Sequence, residues 1–214
     1  MTTFFRRNLP HYHQPNATYF ITFRLAGSLP LEALQRLEEQ IQDELRRLEA
    51  SLSGAALFAA RYEAQKRHFA RFDSMLDQAR HGPRWLAQSA CAQTVMQCIR
   101  ELEPVHYHLH AFCLMPNHIH LLIDQQDIPD PAPRRDEKRY TPLSRALRLL
   151  KGKSAALCNR LLGRGGAFWQ HESYDHLVRN EREYERILAY ILENPVKAGL
   201  AARWDQWPYT YLAP

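Results

Sequence analysis

The chain has 214 residues, 45% apolar and 24% charged, with a formal net charge of +5 at neutral pH. This balance describes a globular chain able to bury a sizeable core, and it excludes a low-complexity or fibrous one. No apolar run approaches the ~20 residues that span a bilayer, and the basic residues near the start are not followed by the apolar core of a signal peptide, so a cytoplasmic protein without a membrane partner is expected. The positive balance favours a phosphate-bearing partner. Cys91, Cys98, Cys113 and Cys158 show no Cys-x-x-Cys spacing and read as reduced thiols.

Residues 1–17 carry Arg6, Arg7, His11 and His13 and read as an extended basic arm, either an unstructured terminus or a nucleic-acid contact. Over 18–25, Tyr19, Ile21, Phe23 and Leu25 alternate with Phe20, Thr22 and Arg24, the pattern of a strand. From 31 to 51 the period changes: Leu31, Leu34, Leu37, Ile41, Leu45 and Leu48 recur every three or four residues, which predicts a helix. A weaker helical pattern fills 55–79, and His81-Gly82-Pro83 stops it. Residues 31–80 thus form a helical extension. Its apolar stripe packs on the domain or against a second chain.

A helix over 89–103 leads to a second strand, 105–115. Strict alternation sets His106, His108, His110, Phe112 and Leu114 on one face, and Tyr107, Leu109, Ala111 and Cys113 on the other. Those histidines fit a polar sheet face better than a ligand set. A short Pro116-Asn117 turn then feeds a strand over 118–124, completing an antiparallel hairpin. Side chains on a strand alternate, so His118 and His120 share a face while Ile119, Leu121 and Ile123 take the other. Two neutral imidazoles on a rigid strand suit a divalent metal. They equally suit ordinary hydrogen bonding, and two ligands do not close a site.

Residues 125–140, rich in Asp, Pro and Arg, form a loop. A helix over 142–162 follows. Arg145, Arg148, Lys151, Lys153 and Arg160 lie in a stretch with no acid, either a solvated face or a surface that tracks phosphates. The Gly163-Arg164-Gly165-Gly166 turn lacks the Lys-Ser/Thr of a nucleotide loop and reads as a helix end. A strand over 168–178 precedes a helix over 181–193, which Asn194-Pro195 stops. The aromatics of the tail, Trp204, Trp207, Tyr209 and Tyr211, fasten it to the core. Tyr190 and Asn194 are four residues apart and share a helix face. One offers a phenol as nucleophile, the other an amide oxygen as a hard metal ligand. A buried, hydrogen-bonded tyrosine is the plain alternative.

His-apolar-His on a strand followed by Tyr-x-x-x-Asn on a late helix resembles the single-tyrosine HUH nucleases. Tyr19-Phe20-Ile21-Thr22-Phe23, Leu114-Met115-Pro116-Asn117-His118-Ile119-His120, Glu172-Ser173-Tyr174-Asp175-His176 and Asn194-Pro195-Val196-Lys197-Ala198-Gly199-Leu200 together resemble the REP-associated tyrosine transposases. The resemblance implies a ferredoxin-like α+β fold: an antiparallel sheet with helices packed on one face, here with the helical extension after the first strand. It implies a single transposase-like catalytic domain across 1–214. It also implies a DNA endonuclease and strand transferase acting on single-stranded or hairpin DNA, commonly repetitive palindromes. His118, His120 and Asn194 would hold Mg²⁺ or Mn²⁺, and Tyr190 would form a 5′-phosphotyrosine. Arg6, Arg7, Arg24, Arg145, Arg148, Lys151, Lys153 and Arg160 would contact DNA, the chain acting as a monomer or homodimer. Two other readings remain: an inactive DNA-hairpin binder on the same scaffold, and a metal-dependent phosphoesterase using water.

Overall fold

The computed structural model describes residues 3–6, 10–14, 16–78, 82–129 and 140–214. In chain order the elements are strands β1 (Thr3–Arg6), β2 (Pro10–His13) and β3 (Thr18–Arg24), helices α1 (Leu31–Ser51), α2 (Gly54–Asp77) and α3 (Ser89–Glu101), strands β4 (His108–Leu114) and β5 (His118–Asp124), helix α4 (Pro142–Leu161), strand β6 (Tyr174–Leu177), helix α5 (Glu181–Lys197) and strand β7 (Thr210–Leu212). The expected extended arm is instead a ribbon, β1 pairing antiparallel with β2. The Asp/Pro/Arg-rich segment 130–139 and His81 lie outside the described residues.

The chain separates into two compact units, Gly27–Pro83 and the remainder. The smaller is a helical hairpin of α1 and α2. Arg61 pairs with Glu49 at 2.7 Å and Arg67 with Glu44 at 2.7 Å across it, surface contacts worth little individually. At its base, Gly82 has φ +91° and approaches Gly27 so closely that a Cβ would meet the Gly27 carbonyl oxygen at 2.6 Å. A side chain there is excluded both by space and by backbone conformation.

The larger unit is built on a five-stranded antiparallel sheet ordered β6-β3-β5-β4-β7. Strand, helix, strand, strand, helix, strand in the order β3, α3, β4, β5, α4, β6 is the split β-α-β arrangement of a ferredoxin-like α+β fold. Tyr19, Ile21 and Phe23 of β3, Ile119, Leu121 and Ile123 of β5, and Leu109, Phe112 and Leu114 of β4 form one buried apolar layer. α3 covers it with Cys91, Val95, Cys98 and Ile99, and α4 with Leu143, Ala146, Leu147 and Leu150. Each fully buried large side chain of this kind contributes roughly 1.5–3 kcal/mol. The polar tips are satisfied inside it: the Tyr107 hydroxyl donates to the Ile99 carbonyl at 2.6 Å and Trp169 Nε1 donates to Ser154 Oγ at 2.9 Å.

Three sequence expectations change. Strand β4 begins at His108, and its register with β5 shifts between Leu109 and Ala111. This bulge accommodates one extra residue, His110, so strict alternation fails. Leu109 stays in the core layer with Phe112 and Leu114, while His110 turns to the opposite face and meets Tyr184 of α5 at 3.1 Å. The expected strand over 168–178 shortens to β6, with Trp169 joined to Leu25 by a single bridge. The tail supplies β7, which pairs with β4, and Trp207 Nε1 donates to the Leu114 carbonyl at 2.8 Å.

Lys151 of α4 is an internal strut. Its ammonium donates to the carbonyls of Gln170 at 2.7 Å and His171 at 2.9 Å and to Ser173 Oγ at 3.2 Å. Burial pushes its pKa down to about 8. Lys151→Met keeps the aliphatic stem and removes three charge-assisted hydrogen bonds, so urea unfolding should register a loss of roughly 1–3 kcal/mol. A solvated lysine would give no measurable change.

Candidate functional site

The sheet face opposite α3 and α4 carries Phe20, Thr22 and Arg24 from β3 and His118, His120 and Leu122 from β5. The antiparallel register sets Thr22 across from His120 and Arg24 across from His118. On the outer side of β3, Tyr174 and His176 of β6 lie opposite Thr22 and Phe20. Helix α5 packs on this face.

Helix α5 is fixed at its start by an N-cap. The Asn180 side chain accepts from the Glu183 N–H at 3.0 Å, and Glu183 Oε2 accepts from the N–H of the preceding Arg179 at 3.0 Å. Glu183 Oε1 lies 3.1 Å from His176 Nε2, tying the helix start to β6. The sequence reading ended this helix at 193, but it runs through Pro195 to Lys197. Proline removes one helical N–H; the chain goes only two residues further, and the Ala198 N–H closes the last turn on the Asn194 carbonyl at 3.0 Å. Asn194 is therefore helical, and it shares a face with Tyr190.

These elements bring four expected site residues together. His118 Nε2 and His120 Nε2 are 3.1 Å apart. Asn194 Nδ2 is 3.2 Å from His120 Nε2. The Tyr190 ring stands edge-on to the His120 ring, centroids 5.4 Å apart, and Phe20 stacks on His120 at 5.7 Å. Lys197 Nζ lies 5.1 Å from the centre of the Tyr190 ring. Behind the imidazoles, Thr22 Oγ1 is 2.8 Å from His120 Nδ1 and Asn117 Oδ1 is 2.7 Å from His118 Nδ1.

The histidines do not point to solvent, as a strand pattern alone suggests; both are fully buried. Alternation tells which residues share a face and not what covers it. Burial pushes the His120 pKa down to about 3, so the ring is neutral and keeps a lone pair. Asn194 is also buried, and its Oδ1 has no hydrogen-bond partner while its Nδ2 faces His120. Turning this amide by 180° exchanges the two atoms and sets a hard oxygen beside two imidazole nitrogens. That N,N,O set fits a divalent cation, and the two histidines are also members of a possible metal-binding group.

The expected DNA-contacting cations are dispersed. Arg24 is buried on the histidine face, and burial lowers its pKa. Arg145 is buried and donates to the Tyr140 carbonyl at 2.8 Å. Lys151 is held internally, as described above. Lys153 is exposed but paired with Glu101 at 2.5 Å. Arg148 and Arg160 are exposed, Arg148 lying over the Tyr140 ring at 5.4 Å. Arg6 falls in β1, but its side chain and all of Arg7 lie outside the described residues. Thr22, Asn117, Phe20 and the His176–Glu183 pair were missed as site residues. Only Thr22 left a signal, because a hydroxyl in an apolar strand asks for a partner.

No family model matches the chain. It is 33% identical over 100 residues to a Haemophilus influenzae protein described as a REP-associated tyrosine transposase, covering 47% of this chain and 56% of that one. It is 36% identical over 42 residues to the REP-associated tyrosine transposase of Escherichia coli, covering 20% of this chain and 26% of that one. The chain thus spans about half, or less, of the curated relatives it matches. Among solved structures, a REP-associated tyrosine transposase bound to a REP hairpin aligns with 96% of this chain and 80% of its own, with a TM-score of 0.50 and 17% identity.

Over 47% of its length the chain is similar in sequence to a REP-associated tyrosine transposase. The structural likeness supports the fold, and the sequence matches carry the relationship. No helix among the described residues is long and apolar enough to cross a membrane.

The buried His120 makes stability depend on pH. An exposed histidine in the unfolded chain titrates near 6.5, and the folded ring near 3. Between those values the unfolded state binds the extra proton, so stability rises with pH and is lost as pH falls below about 6.5. Urea midpoints measured from pH 7.5 to pH 5 should decline for the parent and decline less steeply for His120→Gln.

Proposed function

We propose that the chain is a divalent-metal-dependent endonuclease and strand transferase that cleaves and rejoins single-stranded or hairpin DNA through Tyr190. The observation that carries this reading is the meeting of Tyr190 and Asn194, on one face of α5, with His120 on the sheet. The relative solved with a REP hairpin supports hairpin DNA as the substrate class. The four free, buried thiols support a reducing, cytoplasmic setting.

His118, His120 and Asn194 would hold Mg²⁺ or Mn²⁺, which when bound supplies Lewis-acid polarisation of the scissile phosphate. The Tyr190 oxygen attacks phosphorus in line and loses its proton. A Tyr190 Oη–P bond forms and the P–O3′ bond breaks, leaving a 5′-phosphotyrosine and a free 3′-hydroxyl. The phosphodiester energy is kept in the covalent link, so a later 3′-hydroxyl rejoins DNA without a nucleotide cofactor. Burial keeps the His120 imidazole neutral, and Phe20 stacks on that ring.

Tyr190→Phe removes one oxygen and keeps the ring. With labelled hairpin DNA and Mn²⁺, the parent should give a protein–DNA adduct on a denaturing gel. Tyr190→Phe should give none while binding DNA nearly as well, and Tyr184→Phe should retain the adduct. Cutting by Tyr190→Phe with no adduct in any variant would favour the water-using phosphoesterase. Binding without cutting by the parent would favour an inactive hairpin binder.

Phosphate contact by α4 would rest on its exposed cations. Reversing Arg148 and Arg160 to Glu should weaken hairpin binding and reduce the slope of log affinity against log salt by about 1 or more, measured by fluorescence anisotropy. Sequence preference should survive, since phosphate contacts position a protein without reading bases. An unchanged slope would assign these arginines to the solvated surface.

A further inference from the structure

The two metal-facing histidines have different kinds of partner behind them. His118 Nδ1 faces Asn117 Oδ1 at 2.7 Å, and His120 Nδ1 faces Thr22 Oγ1 at 2.8 Å. An amide oxygen only accepts, so His118 carries its proton on Nδ1 and presents Nε2 as a lone pair. His120 Nε2 lies 3.1 Å from that lone pair. Two lone pairs do not face each other at this distance, so in the ion-free chain His120 carries its proton on Nε2 and donates it to His118. Asn194 with Oδ1 turned inward accepts from the same N–H, which satisfies an oxygen otherwise orphaned. His120 Nδ1 is then an acceptor and takes its hydrogen bond from the Thr22 hydroxyl.

A cation between the rings requires lone pairs on both Nε2 atoms. The His120 proton must then sit on Nδ1, and the group 2.8 Å away must accept where it had donated. A hydroxyl does both by rotating about its C–O bond; an amide oxygen or a methyl group does not. Resting on the metal-site reading above, we propose that Thr22 is a positioning residue whose reversible hydrogen bond lets His120 exchange its Nε2–H tautomer for Nδ1–H when a divalent ion binds. The ring keeps one proton throughout, so the exchange neither takes up nor releases a net proton. The β3–β5 register sets Thr22 directly across from His120, which makes the pairing a property of the sheet.

Two measurements test this, neither of them activity. Long-range ¹H–¹⁵N spectra of histidine-labelled protein should place the His120 proton on Nε2 without metal and on Nδ1 with saturating Mg²⁺, with His118 protonated at Nδ1 in both states. Calorimetric titration with MnCl₂ should show Thr22→Val, close to isosteric, weakened by about 10–100-fold, and Thr22→Ser close to the parent. If the ion-free parent already carries the His120 proton on Nδ1, the proposal is overturned even should Thr22→Val not fold. If Thr22→Val binds Mn²⁺ as tightly as a parent that does bind it, Thr22 has no such role and the metal site stands. If the parent binds neither ion, the metal reading itself fails and takes this proposal with it.

Discussion

The arrangement depends on one fully buried imidazole, that of His120. A ring taken out of water must find partners for both nitrogens or lose the hydrogen bonds that water supplied. Thr22 meets one nitrogen; His118 and Asn194 approach the other. Thr22 and Asn194 come from distant parts of the chain, so this one ring fixes two relationships. It sets the register of β3 on β5, since a one-residue slip would bring Ile21 or Phe23 opposite in place of Thr22 and turn a hydrophobic layer inside out. It sets the rotation of α5, since Asn194 reaches the ring from only one helical face, and that face also carries Tyr190.

Much of this was legible in the residues. Alternation along 18–25 and 118–124 gave two central strands and the correct face for each histidine. Three-and-four spacing gave α1 at its observed limits and α5 at its observed start. Tyr190 and Asn194 could be set on one helical face from their separation alone. What escaped was non-local. The bulge at His110 cannot be read from β4, because a bulge is a mismatch in residue count between two strands; here the apolar positions Leu109, Phe112 and Leu114 are kept inward at the cost of one unpaired residue. The three-residue β7 is too short to show a period and exists because β4 offers it an edge. Pro195 predicted a stop where the helix tolerates one missing donor near its end.

The cations of α4 show the same limit in electrostatic terms. Five positive residues without an acid look equivalent in sequence, yet the structure divides them. Lys151 finds three oxygens from residues about twenty positions later. Arg145 folds back on Tyr140, and Lys153 reaches Glu101 of α3. A positive charge is drawn to whichever oxygens the fold brings near, and carbonyls at a loop serve as well as phosphates. Arg148 and Arg160 stay at the exposed surface of the helix.

The position of Tyr190, the proposed nucleophile, follows from how its helix is held. At its N-terminal end, Asn180 caps α5 and Glu183 joins it to His176 of β6. Toward its other end, Asn194 meets His120 of β5. These strands lie on either side of β3, so the two anchors stretch the helix across the histidine face. Tyr190 lies between the anchors, four residues from Asn194 and seven from Glu183, with Ile191 buried beside it. Rotation or sliding of α5 would break a buried polar contact at one end or the other. In-line attack on phosphorus requires the phenol oxygen within about 3–3.5 Å of its target in an aligned approach. A helix tied to the sheet at both ends supplies that restraint more firmly than a loop, and it uses the same asparagine that the ion would need.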